Sequence, residues 1–486
     1  MAEKVLVTGG TGYVAGWLIV ELLRRGYDVR TTVRTLEKAD AVRSAVTTEI
    51  NPPKRPTSAA PVATEVASGV RPSSAAAVAT EVDSGERPAL MAAVAAEMEL
   101  GERPALMAAV ATEVDSGERP AFTAAVAAET DLGERPALMA AVATEVDSGE
   151  RPAFTAPVAA ETDLGERPAL MAAVAAEIDP GERPAFAAAV ATRIGLGKRL
   201  TFVAADLTSD NGWAEAVAGV DYVLHVASPL GDATTKDPQA LIVPARDGTL
   251  RVLRAATAAG VKRVVMTSAA NAASPSSYAE EGVTDETLWT DPDDPTLIPY
   301  RRSKTVAEKA AWDFMAGHDG PTTLTTILPG AVFGPILSTA NLGSVEIVRR
   351  LLTGAMPGTP RIGLEIVDVR DLADLHIRAM TSPDAAGQRF LGTGEFTWMS
   401  EMAQALREGL GDAARKVPTR RLPNLLVRAT ALFDPSLRAI TVSLGRRNRH
   451  STAKANRLLD WHPRPAAETV VGCARSLIAW RVVPQC

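Results

Sequence analysis

Cysteine is scarce in this 486-residue chain, and Cys473 and Cys486 do not form a CxxC pair. A disulfide scaffold is therefore excluded. The five histidines, at 225, 318, 376, 450 and 462, are scattered without metal-ligand spacing, which argues against a zinc site. Positive charge is in deficit, with 51 basic against 58 acidic side chains and a net charge of −7. No clustered basic surface is present to neutralise phosphates, so a nucleic-acid partner is not expected. There is no apolar run long enough to span a bilayer and no secretory leader pattern, so the expectation is a soluble, cytoplasmic chain with no membrane partner. Aromatic residues make up only 4% of the chain, yet 46% is hydrophobic, ample for a core spread over two or three domains.

The chain does contain a repeat. Arg-Pro recurs every 16 residues from Arg55 to Arg183, and nine units of the type RPALMAAVATEVDSGE fill residues 55–198. The upstream segment Ala45 to Lys54 resembles the tail of one more unit. Excising the array would join Lys54 to Arg199 and leave 342 residues that read as helix, turn and strand without interruption. The array is thus read as a tandem insertion in one surface connection. Each unit offers Pro at a first helical position, an Ala-rich stretch and a D-S-G-E stop. Helices that short are marginal alone, and the units carry few large side chains, so a mobile or loosely helical insert is expected. Loop-closure entropy grows only logarithmically with length, so the host fold tolerates it.

Outside the array, β-like runs (KVLVTG, YDVRTTVR, RLTFVAAD, DYVLHVAS, KRVVMTSA, TTLTTILP) alternate with helical patterns such as Pro238 to Gly260 and Tyr300 to Met315. This alternation predicts an α/β fold with a doubly wound parallel sheet. The expected organisation is a discontinuous nucleotide-binding domain over 1–54 and 199–335, the insert over 55–198, and a smaller substrate-binding part over 336–486.

In VTGGTGYVAGW, a strand ending at Thr8 runs into Gly9, Gly12 and Ala15 ahead of an apolar helical face. Gly9 permits the tight turn, Gly12 lets a pyrophosphate reach the backbone, and Ala15 lets helix and strand pack closely. Arg34 ends the second strand where an NAD-specific site would place an acidic residue, so a ribose 2′-phosphate and NADP(H) over NAD(H) are expected. Asp206-Leu207 and HVASP (His225 to Pro229) follow the third and fourth strands and fall at the ligand crevice. Asp206 can accept a hydrogen bond from an adenine amino group, Val226 and Ala227 are small enough to pass beneath the cofactor, and His225 reads as a packed core residue. Tyr300 and Lys304 stand four apart and share one helical face. A tyrosine of ordinary pKa near ~10 is a poor acid or base at neutral pH unless a neighbouring ammonium stabilises its phenolate, the role open to Lys304.

Together with LPGAVFGP (Leu328 to Pro335), these motifs resemble the extended short-chain dehydrogenase/reductases, in the branch of dihydroflavonol and cinnamoyl-CoA reductases. The resemblance covers nearly all of the host and none of the array. It implies an NADPH-dependent reductase with Tyr300 as proton donor and Lys304 bridging the nicotinamide ribose. The cofactor set it implies adds Thr8, Tyr13, Val14, Leu207 and Ser228 to the residues above, with Pro329, Gly330 and Val332 beside the nicotinamide. It further implies a C-terminal part, including Val367 to Met380, that shapes the substrate pocket and returns in part to the sheet, and a homodimer through helices around 241–256 and 300–315. One departure stands out: the family's fifth strand ends in two hydroxyl residues and then Ser, whereas this chain has Thr267-Ser268-Ala269. Ser268 is the expected carbonyl donor after a one-residue adjustment, with Thr267, Asn271 or a water as alternatives. Loss of one such donor costs ~10²–10³ in rate.

The expected reaction is reduction of a ketone or aldehyde on a small hydrophobic or aromatic molecule, since positions beyond Pro229 and near Phe333 read as apolar. A nucleotide-sugar epimerase or sterol-type dehydrogenase is the alternative within the superfamily, with Arg349-Arg350 or Arg420-Arg421 as diphosphate ligands. A catalytically impaired cofactor sensor is the alternative from another class.

Overall fold

The computed structural model describes residues 2–50, 195, 198–229, 237–275, 282–295, 297–340, 342–433, 440, 441 and 443–483. Apart from Gly195 and Lys198, the tandem units lie outside the described residues, as do Cys486 and the expectation of a mobile or loosely helical insert.

In chain order the first half contains β1 (Lys4–Val7), α1 (Tyr13–Arg24), β2 (Asp28–Val33), α2 (Ala39–Ile50), β3 (Leu200–Ala204), α3 (Trp213–Val217), β4 (Tyr222–His225), α4 (Gln239–Ala258) and β5 (Arg263–Thr267). Next come β6 (Gly282–Thr284), α5 (Pro299–Ala316), β7 (Thr323–Pro329), β8 (Ala331–Phe333), α6 (Val345–Leu352), β9 (Thr359–Pro360), β10 (Gly363–Asp368) and α7 (Val369–Thr381). The last stretch holds β11 (Arg389–Gly392), β12 (Glu395–Trp398), α8 (Met399–Leu410), β13 (Arg421–Leu422), α9 (Asn424–Thr430), β14 (Asn448–His450), α10 (Ala453–Leu459) and α11 (Ala466–Ala479).

Seven strands form one sheet in the order β11-β7-β5-β4-β1-β2-β3, and every pairing in it is parallel. A parallel sheet is covered on both faces, which is why the central strands β1, β4 and β5 bury consecutive residues rather than alternate ones. Val5, Leu6 and Val7 are all fully buried. One face is covered by α1, α2 and α7 through Leu18, Ile19, Leu22, Val42 and Leu372, the other by α3, α4 and α5 through Trp213, Val252, Leu253, Ala307 and Ala311. Burying a Leu or Ile side chain of this kind contributes about 1.5–3 kcal/mol. The strand order reverses between β1 and β4, and in such sheets a ligand crevice opens at that point beyond the carboxyl ends.

The C-terminal residues build a second core around Phe333, Ile366, Met402, Leu406, Val470 and Leu477. It lies on a three-stranded sheet of order β12-β10-β8. Two links tie it to the main sheet: β11 pairs with β7 at the edge, and Trp17 of α1 donates its indole N–H to the carbonyl of Pro335 at 2.8 Å. Asp368 closes β10 and caps α7, accepting from the Arg370 backbone N–H at 2.9 Å.

Candidate active site

A cleft of about 980 Å³ runs along the carboxyl ends of β1, β2, β3, β4 and β5 and continues between α5 and the C-terminal sheet. All the cofactor-side residues picked out from the sequence line it except Thr8, which lies fully buried beneath: Gly9, Gly12, Tyr13, Val14, Arg34, Asp206, Leu207, Val226, Ala227, Ser228, Pro329, Gly330 and Val332.

The β1-α1 end is built from backbone. Gly9 has φ +72°, and a Cβ there would stand 2.9 Å from the Ala227 Cβ, so the turn needs glycine for both its conformation and its space. Thr8 organises the floor: its hydroxyl accepts from the N–H groups of Val226 (3.1 Å) and Ala227 (3.0 Å) and meets His225 Nδ1 at 3.0 Å. Burial, with the charge of Lys304 adding to it, lowers the His225 pKa to about 3, so this ring is a neutral core residue. The first turn of α1 contains no acidic side chain, which leaves its N-terminal N–H groups free to face an anion. Tyr13 divides its roles: it lines the cleft, but its hydroxyl is buried without a hydrogen-bond partner, and burial, then Cys473 and Asp368, push its pKa well up.

Arg34 stands 78% exposed beyond β2, with Nε 3.4 Å from Asp206. Asp206 also accepts from the Thr208 N–H and hydroxyl, both at 2.7 Å, and these bonds, ahead of Arg34, hold its pKa below the usual carboxylate value. Arg34 and Lys38 thus present two cations at the β2-β3 end of the cleft.

Tyr300 and Lys304 face the same cleft from α5, which Pro299 opens at its first position. Lys304 Nζ lies 5.9 Å from the Tyr300 ring centroid. The expected direction of the tyrosine shift needs correction: burial raises the Tyr300 pKa above its ordinary value of 10. Burial lowers Lys304 instead, to about 8, against an opposing pull from Glu308. A low-dielectric site disfavours both charged forms, and that effect exceeds the mutual stabilisation expected from the four-residue spacing.

Ser268 also departs from its expected role. It is 2% exposed, and its hydroxyl donates to Glu308 Oε2 at 2.7 Å. Glu308 is fully buried, accepts from Thr326 Oγ1 at 2.8 Å, and pairs with Arg389 at 2.9 Å. Ser268 thus lines the cleft with its hydroxyl given to Glu308, and Ala269, at the position where the family's Ser would stand, and Asn271 line it as well. Thr267 is likewise engaged, with His376 Nε2 at 2.7 Å.

Several cleft residues were not picked out from the sequence: Ser274, Glu365, Phe396, Arg446, Asn448 and His450. They come from four separate segments that the fold brings together. The only local signal was the run Arg446 to His450, whose alternate positions face the cleft. Phe333, expected near the substrate, is fully buried in the C-terminal core. The wall there combines Leu364 and Phe396 with polar groups, so it is less apolar than expected. Neither Arg349, paired with Glu346 at 2.6 Å, nor Arg420, bound to the Pro357 carbonyl at 2.7 Å, lines the cleft. Among the described residues no cluster of His, Cys, Asp or Glu could hold a metal, and no helix is long and apolar enough to cross a membrane.

Residues 180–391 match the model of the NAD dependent epimerase/dehydratase family. A similar protein is cinnamoyl-CoA reductase 1 of Petunia hybrida, 38% identical over 191 residues, or 39% of this chain and 56% of that one. Anthocyanidin reductase ((2S)-flavan-3-ol-forming) of Vitis vinifera is 33% identical over 230 residues, 44% of this chain and 67% of that one. The chain belongs to the NAD dependent epimerase/dehydratase family. Within that family it is an extended short-chain dehydrogenase/reductase of the dihydroflavonol and cinnamoyl-CoA reductase branch. The match spans little more than half the length of the Petunia protein. The Rossmann-type fold of this family member is also that of yeast methylglyoxal/isovaleraldehyde reductase Gre2, solved with NADPH, at TM-score 0.58, 17% identity and 99% coverage of both chains.

Proposed function

We propose that this chain is an NADPH-dependent reductase of ketones or aldehydes. The observation that carries the proposal is the shared cleft: the Gly9 turn and Arg34 stand at one end, and Tyr300 and Lys304 are further along the same space. The residues present fit a dinucleotide, because the tight approach of Gly9 to Ala227 keeps side chains out of the turn that would receive the phosphates. Gly9, Gly12 and the α1 N-terminus would hold the pyrophosphate, Arg34 and Lys38 the 2′-phosphate, and Pro329 to Val332 the nicotinamide end. When bound, the cofactor supplies a hydride to the carbonyl carbon.

The chain itself handles the proton. Burial keeps Tyr300 protonated through neutral pH, so its hydroxyl can hydrogen-bond the substrate oxygen and deliver a proton as negative charge develops there. Lys304, with a pKa of about 8, still carries its charge near neutrality and can stabilise the phenolate left behind. With Ala269 at the cleft wall and the Ser268 hydroxyl given to Glu308, the proposal gives Tyr300 the leading role in polarising the carbonyl. The reductase names of the Petunia and Vitis relatives and the NADPH complex of the yeast structure support the reading. We further propose that the tandem array is an insertion in the connection between α2 and β3. The test is carbonyl-dependent oxidation of NADPH over a panel of aromatic aldehydes and ketones. Oxidation by at least one class, faster with NADPH than NADH, is the expected result; tight NADPH binding with no oxidation by any carbonyl would count against it.

A further inference from the structure

The run Arg446 to His450 leaves a turn at Gly445 and passes the substrate end of the cleft, ending in β14, and its side chains alternate between two faces. Arg446, Asn448 and His450 line the cleft; Arg447 and Arg449 line a separate groove on the other side. His450 is held in place: its backbone N–H donates to Glu365 Oε1 at 2.7 Å, its Nδ1 pairs with Glu365 Oε2, and its Nε2 meets the Ser274 hydroxyl at 2.9 Å. Both carboxylate oxygens of Glu365 are thereby engaged, and its charge faces the imidazole. The other two cleft-facing side chains have no such partners. Arg446 forms no ion pair among the described residues, and the Asn448 Oδ1 is buried with no hydrogen-bond partner. A half-buried guanidinium without a counter-charge beside an unsatisfied carboxamide is costly unless a ligand completes it.

We propose that Arg446 and Asn448 form a carboxylate subsite, so that the preferred substrate is a carbonyl compound carrying a carboxylate, with its apolar body against Phe396 and Leu364. A guanidinium offers paired N–H donors that match the two carboxylate oxygens, and a single arginine matches a single negative charge. The carboxamide can turn to present its NH₂ to the same oxygens. The inference deepens the reductase reading and rests on it for the identity of the reacting group.

The test compares 4-formylbenzoate with its methyl ester, which differ in the charge and keep the aldehyde. Calorimetric titration into the full chain saturated with NADP⁺, which has no hydride to give, measures binding without turnover. The acid should bind at least tenfold more tightly than the ester. Arg446→Gln should remove that preference, whereas Arg449→Gln, on the opposite face, should retain it. Equal or tighter binding of the ester by the unaltered chain, or an undiminished acid preference in Arg446→Gln, would overturn the subsite. Selective acid binding without NADPH oxidation by 4-formylbenzoate would instead keep the subsite and reject the reductase reading.

Discussion

The two ends of the cleft are made of different material. At the β1-α1 end, recognition rests on backbone: a glycine at φ +72°, a helix N-terminus and small residues that make room. At the α5-β14 end it rests on side chains drawn from distant segments, among them the buried Lys304. A backbone site depends on spacing along one short stretch and tolerates little change there. A side-chain site can be rebuilt one residue at a time, which suits the part of an enzyme that selects its substrate.

The largest expected effect is on the side-chain end. Glu308→Ala would leave Arg389 buried without its counter-charge and release Ser268 and Thr326. Breaking a buried pair from one side costs about 3–5 kcal/mol, to be read as a lower midpoint in denaturant unfolding. A loss below about 1 kcal/mol would mean that water or a shifted side chain replaces the carboxylate. On the backbone end, Gly9→Ala adds one methyl group, yet it forces a positive φ on alanine and meets Ala227. We expect about 1–3 kcal/mol of lost stability together with at least tenfold weaker NADPH binding, measured by cofactor fluorescence. Unchanged binding would mean that the turn is not a close-fitting backbone site.

Lys304 sharpens the contrast through pH. Its folded pKa of about 8 lies below the ordinary lysine value of 10.5, so between these values the unfolded chain holds more protons and stability rises with pH. Catalysis should move the other way, since the charge is lost above about 8: kcat/KM for reduction falls while the unfolding midpoint rises. Parallel profiles would contradict the assignment. The smallest effect is expected at Arg34, which is mostly exposed. Arg34→Gln should reduce the preference for NADPH over NADH by roughly tenfold, the scale of one charge-assisted hydrogen-bonding group near the surface.

These differences also set what could be read from the sequence. The parallel sheet, the glycine turn and the Tyr300-Lys304 pair are short-range patterns whose meaning lies in spacings of two to six residues. The extents agree closely: the helix expected over 238–260 spans Gln239–Ala258, and that over 300–315 spans Pro299–Ala316. The Glu365-His450 pair joins residues 85 positions apart, and no local pattern marks it. Ser268 could be placed at the end of β5, but which way its hydroxyl turns depends on Glu308, an acceptor on another element. Glu308 itself was within reach, four residues after Lys304 on the same helical face. Likewise the positions near Phe333 read as an apolar pocket wall, and only the packing of the C-terminal core shows Phe333 itself buried. The Tyr300 shift was misjudged because the spacing reveals the nearby charge but not the burial that outweighs it.

Tyr300 is proposed to give the proton in a carbonyl reduction carried out in this cleft. Single-turnover oxidation of bound NADPH by an aromatic aldehyde, in the unaltered chain and in Tyr300→Phe, tests it most directly. The rate should be lower by about 10²–10⁴ in the variant, with NADPH affinity unchanged. Equal rates in the two proteins would contradict it.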